Sequence, residues 1–201
     1  MGKEKIPSRI VTRIKNKLNE QDIVIIGIEG GPASGKTSAA ESLALHCLSN
    51  ENCFVLTLCT DMFHRWSNSE RQALKIKYDS WYDWYDFVRI RYFLEAVRGG
   101  ANPIVLENLW NIDSGKKDKN LYIQYPPKKK LIVIMEGCFI LHEDLVHLID
   151  EKVFIDVPLV QRIDRQIKRD IDRGRRRKVP EYQAIYEEYS DYLKSNSALV
   201  F

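Results

Sequence analysis

The chain has 201 residues and a net charge of +3, too small an excess to imply a nucleic-acid partner, and no apolar run approaches the roughly 20 residues of a membrane span. A hydrophobic content of 44% against 29% charged residues is that of a soluble globular protein, and the length fits one domain over residues 1–201. Four cysteines at 47, 53, 59 and 138 lie in apolar stretches with no C-x-x-C spacing, so reduced thiols and a cytoplasmic location are expected.

The N-terminal segment lacks the long apolar core of a secretory signal. Ile10, Val11, Ile14 and Leu18 instead form one helical stripe, as a docked helix would; a basic transit peptide is the weaker alternative. Residues 23–28 (IVIIGI) read as a buried parallel strand, and residues 38–47 as a helix. Between them stands Gly30-Gly31-Pro32-Ala33-Ser34-Gly35-Lys36-Thr37, which matches G-x-x-x-x-G-K-[ST] at every fixed position. In that context the backbone amides from Gly30 to Ser38 cradle phosphate oxygens at the positive end of a new helix. Lys36 then reaches the terminal phosphates, and the Thr37 hydroxyl holds Mg²⁺. A nucleoside triphosphate is therefore the expected ligand. GTP is disfavoured, because no N-K-x-D follows the loop.

Residues 54–58 read as a second strand, leading into Thr60-Asp61-Met62-Phe63-His64-Arg65. Ser67, Asn68 or Ser69 is a plausible cap for a helix running to about Lys77. The rings Tyr78, Trp81, Tyr82, Trp84 and Tyr85 alternate with Asp79, Asp83 and Asp86; most should pack in the core, with one or two against a ligand. Phe87, Ile90, Leu94 and Val97 share a helix face that Gly99-Gly100 closes. Residues 104–106 form a third short strand. Residues 107–125 read as hairpin arms around a turn at 111–118, an excursion of the kind that carries specificity. Residues 131–135 are a buried strand delivering Glu136, a short helix covers 143–149, and 152–157 is the last strand. Pro158 opens a polar helix towards Arg173, and a final helix runs from about 180 to 193. Strands alternating with helices imply a parallel sheet covered on both faces, with ligands at the strands' carboxyl ends.

Phosphoryl transfer needs a phosphate cradle, a metal, a group to orient or deprotonate the attacking hydroxyl, and cations over the moving phosphoryl. Asp61 is the candidate base, its plain alternative being a carboxylate that caps the next turn. Glu136 is the candidate Mg²⁺ partner of Thr37, with a simple loop acid as the alternative. Arg165, Arg169 and Arg173 recur every four residues and so share a helix face that could close over ATP as a lid. The run Arg175 to Lys178 reads equally well as a solvated basic face.

In order and approximate spacing, GGPASGKTS, TDMFHR, YDSWYDWYDF, VIMEGCFIL and RQIKRDIDRGR resemble the uridine kinase family, in the phosphoribulokinase and uridine kinase branch of P-loop kinases, across roughly residues 23–178. The resemblance implies an α/β P-loop NTPase fold with a five-stranded parallel sheet flanked by helices, a hairpin over the substrate site at about 107–125 and an arginine lid at about 165–178. It also implies transfer of the ATP γ-phosphate to the 5′-hydroxyl of a nucleoside such as uridine or cytidine, with Mg²⁺.

By position, the family's base falls on Asp61 with Phe63 after it, its Mg²⁺-associated acid on Glu136, its ribose-binding Asp on Asp79 with Asp83 as rival, its hairpin aromatic on Trp110 and its lid arginine on Arg169. Four departures fall on the acceptor side. A family tyrosine is His64 here, an H-P pair is Ser80-Trp81, a hairpin histidine is absent with Gly115 nearest, and paired arginines are Arg165-Gln166. The lid pattern is also one residue shorter. Kinases of nicotinamide riboside, pantothenate or another sugar-like alcohol are the rivals within the class, and a regulatory ATPase is the rival outside it. The expected partner is a small molecule, with no nucleic acid and no membrane; a homo-oligomer is compatible with the sequence.

Overall fold

A computed structural model describes residues 8–76, 83–174 and 179–201, with the side chains of residue 8 and of 179–182 left aside. Asp79, the rings Tyr78, Trp81 and Tyr82, and the basic run Arg175 to Lys178 lie outside the described residues.

Alternation inside the strands builds the layers. In β1 (Ile23–Gly30), Val24, Ile26 and Ile28 point to one side of the sheet and Ile25 to the other; in β5 (Lys130–Glu136), Ile132 and Ile134 oppose Leu131, Val133 and Met135. Both faces must therefore be covered. Two helices cover the first: α1 (Ser8–Glu20), through Ile10, Ile14 and Leu18, and α2 (Lys36–Leu48), through Ala39, Ala40 and Leu43. The second face packs against α4 (Phe87–Arg98) through Phe87, Ile90, Leu94 and Val97, against the short α5 (Glu143–Val146) through Leu145, and against the C-terminal helix α7 (Val179–Ser195) through Tyr186 and Leu193. The stripe at the N-terminus is thus a docked helix. No described helix is long and apolar enough to cross a membrane.

The sheet is five-stranded, in the order β2-β5-β1-β6-β7, and every pairing is parallel. Here β2 is Cys53–Cys59, β6 is Glu151–Ile155 and β7 is Leu199–Val200. Two expectations are corrected. Residues 104–106 do not join this sheet: they begin β3 (Ile104–Leu109), which pairs antiparallel with β4 (Lys119–Ile123) as a separate ribbon. Nor is β6 the last strand, because β7 adds beside it. Two residues are too short to show any period, and only the pairing of Val153 with Leu199 and Phe154 with Val200 reveals the strand.

Register positions the site. Cys59, the last residue of β2, pairs with Glu136, the last of β5, so these two strands end level; Ile28 of β1 also pairs with Glu136, and β1 runs two residues further to Gly30. Beyond them Thr60–Phe63 makes a 3-10 turn, and α3 (Asn68–Ala73) follows. Ser67 is the cap among the three candidates: its hydroxyl accepts from the Glu70 amide at 3.2 Å and the Glu70 carboxylate accepts from the Ser67 amide at 2.6 Å. The turn between β3 and β4 docks here, with the Trp110 amide donating to the Met62 carbonyl and the Asn68 amide to the Gly115 carbonyl, each at 2.8 Å. A Cβ on Gly115 would lie 2.1 Å from Asn68 Nδ2, so this approach requires glycine. The polar helix is α6 (Leu159–Asp172), capped by Pro158.

Candidate active site

The phosphate loop leaves β1 at Gly30 and enters α2 at Lys36. Its cap residue, Gly35, offers no side-chain acceptor, so the first amides of α2 keep their donors for another partner. Ser34 is fully buried in the loop, and its hydroxyl has no partner among the described residues. Ser38 is exposed on the first turn of α2. Lys36 lies back along the loop, donating to the carbonyls of Gly30 at 2.8 Å and Gly31 at 2.9 Å. Burial pulls its ammonium down, but the carboxylates of Glu136, Glu29 and Asp61 push the other way and its pKa is raised. The Cys138 thiol itself is pushed up to about 12 by burial, so it stays protonated and inert.

Behind the loop stands a set of groups that the sequence reading missed. Glu29, fully buried, accepts from the Gly30 amide at 2.9 Å, the Leu141 amide at 3.1 Å and the Tyr186 hydroxyl at 2.9 Å; burial raises its pKa despite these bonds and the nearby Lys36. Arg162 of α6 packs against Gly31, donating to the Val157 carbonyl at 2.9 Å, to Gln183 at 2.7 Å and to Glu187. Gln183 passes a donor on to the Pro32 carbonyl at 3.0 Å. The single acid in the apolar run of β1 was a legible signal for Glu29. Nothing local marks Arg162 or Gln183, because their partners lie on other elements.

Thr37 donates its hydroxyl to Glu136 Oε1 at 2.9 Å, bringing a hydroxyl and a carboxylate together at the mouth of the loop. Burial raises the Glu136 pKa, with Lys36 and the Thr37 bond opposing it. The oxygen-only pair suits a hard cation such as Mg²⁺, which takes few protein ligands and fills its shell with water and phosphate.

Asp61 sits opposite, in the 3-10 turn, with its side chain 41% exposed. The Tyr85 hydroxyl donates to its Oδ1 at 2.9 Å, and His64 Nε2 lies 3.8 Å from the same oxygen. His64 is buried against the rings of Trp110 at 4.6 Å and Tyr85 at 4.9 Å, and desolvation lowers its pKa to about 4. On its other side Arg71 Nη1 stands 3.4 Å from Nδ1, while the Arg71 guanidinium lies 4.4 Å above the Trp84 ring.

These groups line one cleft of about 1120 Å³, which brings together Pro32, Ala33, Lys36, Thr37, Asp61, His64, Trp110, Glu136, Arg169 and Arg173 of the predicted residues. Of the loop residues, Gly30, Gly31, Ser34, Gly35 and Ser38 do not line it, and three predicted side chains from elsewhere also fall outside. Phe63 is fully buried in the core beside Phe93 (ring centroids 5.9 Å apart), because the 3-10 turn that aims Asp61 outward turns Phe63 inward. Asp83 is exposed and away from the cleft. Arg165 also misses it. Steps of four residues advance about 400°, so positions 165, 169 and 173 fan over roughly 80° of the helix rather than share a line. The cleft receives Gln166, Arg169 and Arg173 instead. Gln166 is buried, bonded to Asp170 at 2.9 Å, and accepts from Arg169.

No family model matches the chain. Among curated proteins it is 29% identical over 156 residues to the uridine kinase of Lactobacillus helveticus, covering 76% of this chain and 70% of that one. Over 194 residues it is 28% identical to the uridine kinase of Mycoplasma genitalium, covering 88% and 84%. It is 25% identical over 173 residues to a chloroplastic uridine/cytidine kinase of Arabidopsis thaliana, covering 85% of this chain but only 33% of that protein, so it spans a third of that relative's length. Among solved structures, a candidate fructose transport system kinase from Silicibacter aligns with a TM-score of 0.71 at 17% identity, covering 96% of this chain and 97% of the other. A candidate uridine kinase from Bacillus stearothermophilus aligns at 0.64 and 17%, covering 96% and 99%. The structural likeness gives the P-loop kinase fold, and the sequence likeness supports the uridine kinase family.

Proposed function

We propose that this chain, a P-loop kinase by fold and of uridine kinase type by sequence, moves the γ-phosphate of ATP to the 5′-hydroxyl of a nucleoside, with uridine or cytidine as the acceptor. The observation that carries this reading is the register of β1, β2 and β5, which sets the Lys36 loop and the Thr37–Glu136 pair across one cleft from the half-exposed carboxylate of Asp61.

The roles follow from the chemistry of transfer. The loop amides, the Ser34 hydroxyl and Lys36 bind the phosphates of ATP, Lys36 exchanging its two carbonyl partners for phosphate oxygens. Thr37 and Glu136 hold Mg²⁺, which when bound offsets the charge on the β- and γ-phosphates. Arg169, on the last turn of α6, and Arg173, its C-terminal cap, bring cations over the moving phosphoryl group. The acceptor oxygen bonds to the γ-phosphorus, its proton passes to Asp61, and the bond to the β–γ bridging oxygen breaks to release ADP. Trp110 and His64 supply the aromatic wall against which an acceptor packs. For the ribose hydroxyls the proposed partner is Asp79, on the resemblance, with Asp83, which is exposed and does not line the cleft, as its rival.

The test is ADP release with ATP and Mg²⁺ against a panel of nucleosides, vitamins and sugars. Uridine or cytidine should raise the rate well above that without acceptor, and Asp61→Asn should abolish the increase. A response to nicotinamide riboside or pantothenate alone would move the acceptor while keeping the kinase. An equal rate with and without every acceptor would favour a regulatory ATPase.

A further inference from the structure

Asp61 has two oxygens, and among the described residues both of its contacts fall on Oδ1: the Tyr85 hydroxyl at 2.9 Å and His64 Nε2 at 3.8 Å. Tyr85 is almost wholly buried, held between the rings of His64 and Phe139, the latter at 5.4 Å. The backbone ties the two donors together as well, since His64 and Tyr85 form an isolated antiparallel bridge and the Asp86 amide donates to the Phe63 carbonyl at 2.9 Å. Both rings are therefore fixed before any ligand arrives.

The proton on His64 has a determined place. Arg71 Nη1 is always a donor, so the Nδ1 atom facing it must offer a lone pair. A neutral imidazole carries one proton, which then sits on Nε2, the atom that faces Asp61. At 3.8 Å the contact is too long for a hydrogen bond, but a shift of about 1 Å by the half-exposed carboxylate closes it.

We infer that Tyr85 and His64 are positioning residues that grip Oδ1 of Asp61 from two sides, so that Oδ2 is the oxygen left to take the acceptor's proton. The inference rests on Asp61 as the base proposed above. A carboxylate whose Oδ1 accepts from the Tyr85 hydroxyl, with His64 Nε2 facing the same oxygen, is held from rotating away, and near-attack geometry is gained without either ring bonding the reacting hydroxyl. Arg71 acts one step further out, through the tautomer of His64.

The experiment compares Tyr85→Phe, His64→Gln and His64→Phe with Asp61→Asn, using the acceptor that gives the largest response in the panel. Tyr85→Phe removes one hydrogen bond to a charged group and should lower kcat about 10–100-fold, with KM for ATP and for the acceptor within about twofold. His64→Gln, whose side-chain amide can reach towards the place of Nε2, should retain more kcat than His64→Phe. A melting temperature for each variant shows that the fold is kept. If Asp61→Asn abolishes turnover while Tyr85→Phe and His64→Phe keep wild-type kcat, the positioning role is wrong and the base stands; if Asp61→Asn turns over normally, the base assignment itself fails. A readout independent of any acceptor is the long-range ¹⁵N–¹H spectrum of the His64 ring at neutral pH. A protonated Nε2 is expected, and a proton on Nδ1 would overturn the inference.

Discussion

Lowering the pH should cost this protein stability through His64, and the amount can be worked out from its burial. The ring is 6% exposed, and desolvation, reinforced by Arg71 and only partly opposed by Asp61, lowers its pKa from 6.5 to about 4. A folded-state value below the unfolded one means that the unfolded chain takes up a proton first. The stabilisation is complete above pH 6.5 and is lost as the pH falls towards 4. The linkage relation gives a loss of about 2 kcal/mol at pH 5 relative to pH 8, of a total near 3 kcal/mol. For a chain of this size that corresponds to about 4–8 °C in melting temperature. Glu29 and Glu136 act in the opposite sense, because their raised pKa values favour the folded state as the pH falls. The raw slope of the wild type therefore mixes signs, and the measurement is the difference between wild type and His64→Gln across pH 5 to 8. Lost ring contacts shift the variant by a constant, whereas the proton linkage makes the two curves converge towards acid. Parallel curves, or an NMR titration of the ring centred near 6.5, would refute the reasoning.

Gly31→Ala places a Cβ 1.7 Å from Arg162 Nη1, and Arg162 is buried with its donors committed, so the loop must shift; ATP affinity measured by calorimetry should fall about 10-fold or more. Glu136→Gln removes the charge beside Thr37 and should raise the Mg²⁺ concentration for half-maximal turnover about 10-fold or more, with a melting temperature near that of the wild type. Ile14→Ala on α1 empties a fully packed site under the sheet and should destabilise by about 2–5 kcal/mol in urea unfolding; an unchanged midpoint would mean that α1 contributes nothing to the core.

The fold was largely legible because its signals are local. The alternation in β1 and β5, the stripe of α1 and the glycine loop are each contained within about a dozen residues, and each requires the same neighbours wherever the strands lie. The expectation that Lys36 and Thr37 belong to a phosphate cradle rests on spacing alone. The separate ribbon of β3 and β4 and the two-residue β7 were not legible, since a short apolar run carries no mark of the strand it will pair with.

The acceptor side depended on tertiary structure for the same reason. Asp61 and Phe63 are two residues apart, yet a 3-10 turn sends one into the cleft and the other into the core. Arg165, Arg169 and Arg173 look equivalent in sequence, but the fan of the helix separates the first from the other two. The supports behind the loop, Glu29 with Tyr186 and Arg162 with Gln183, join residues 157 and 21 positions apart. Composition and periodicity fix which face of an element is buried. Which buried or half-buried polar groups meet is decided only when the elements close on one another, because a hydrogen bond depends on distance in space and leaves no period in the chain.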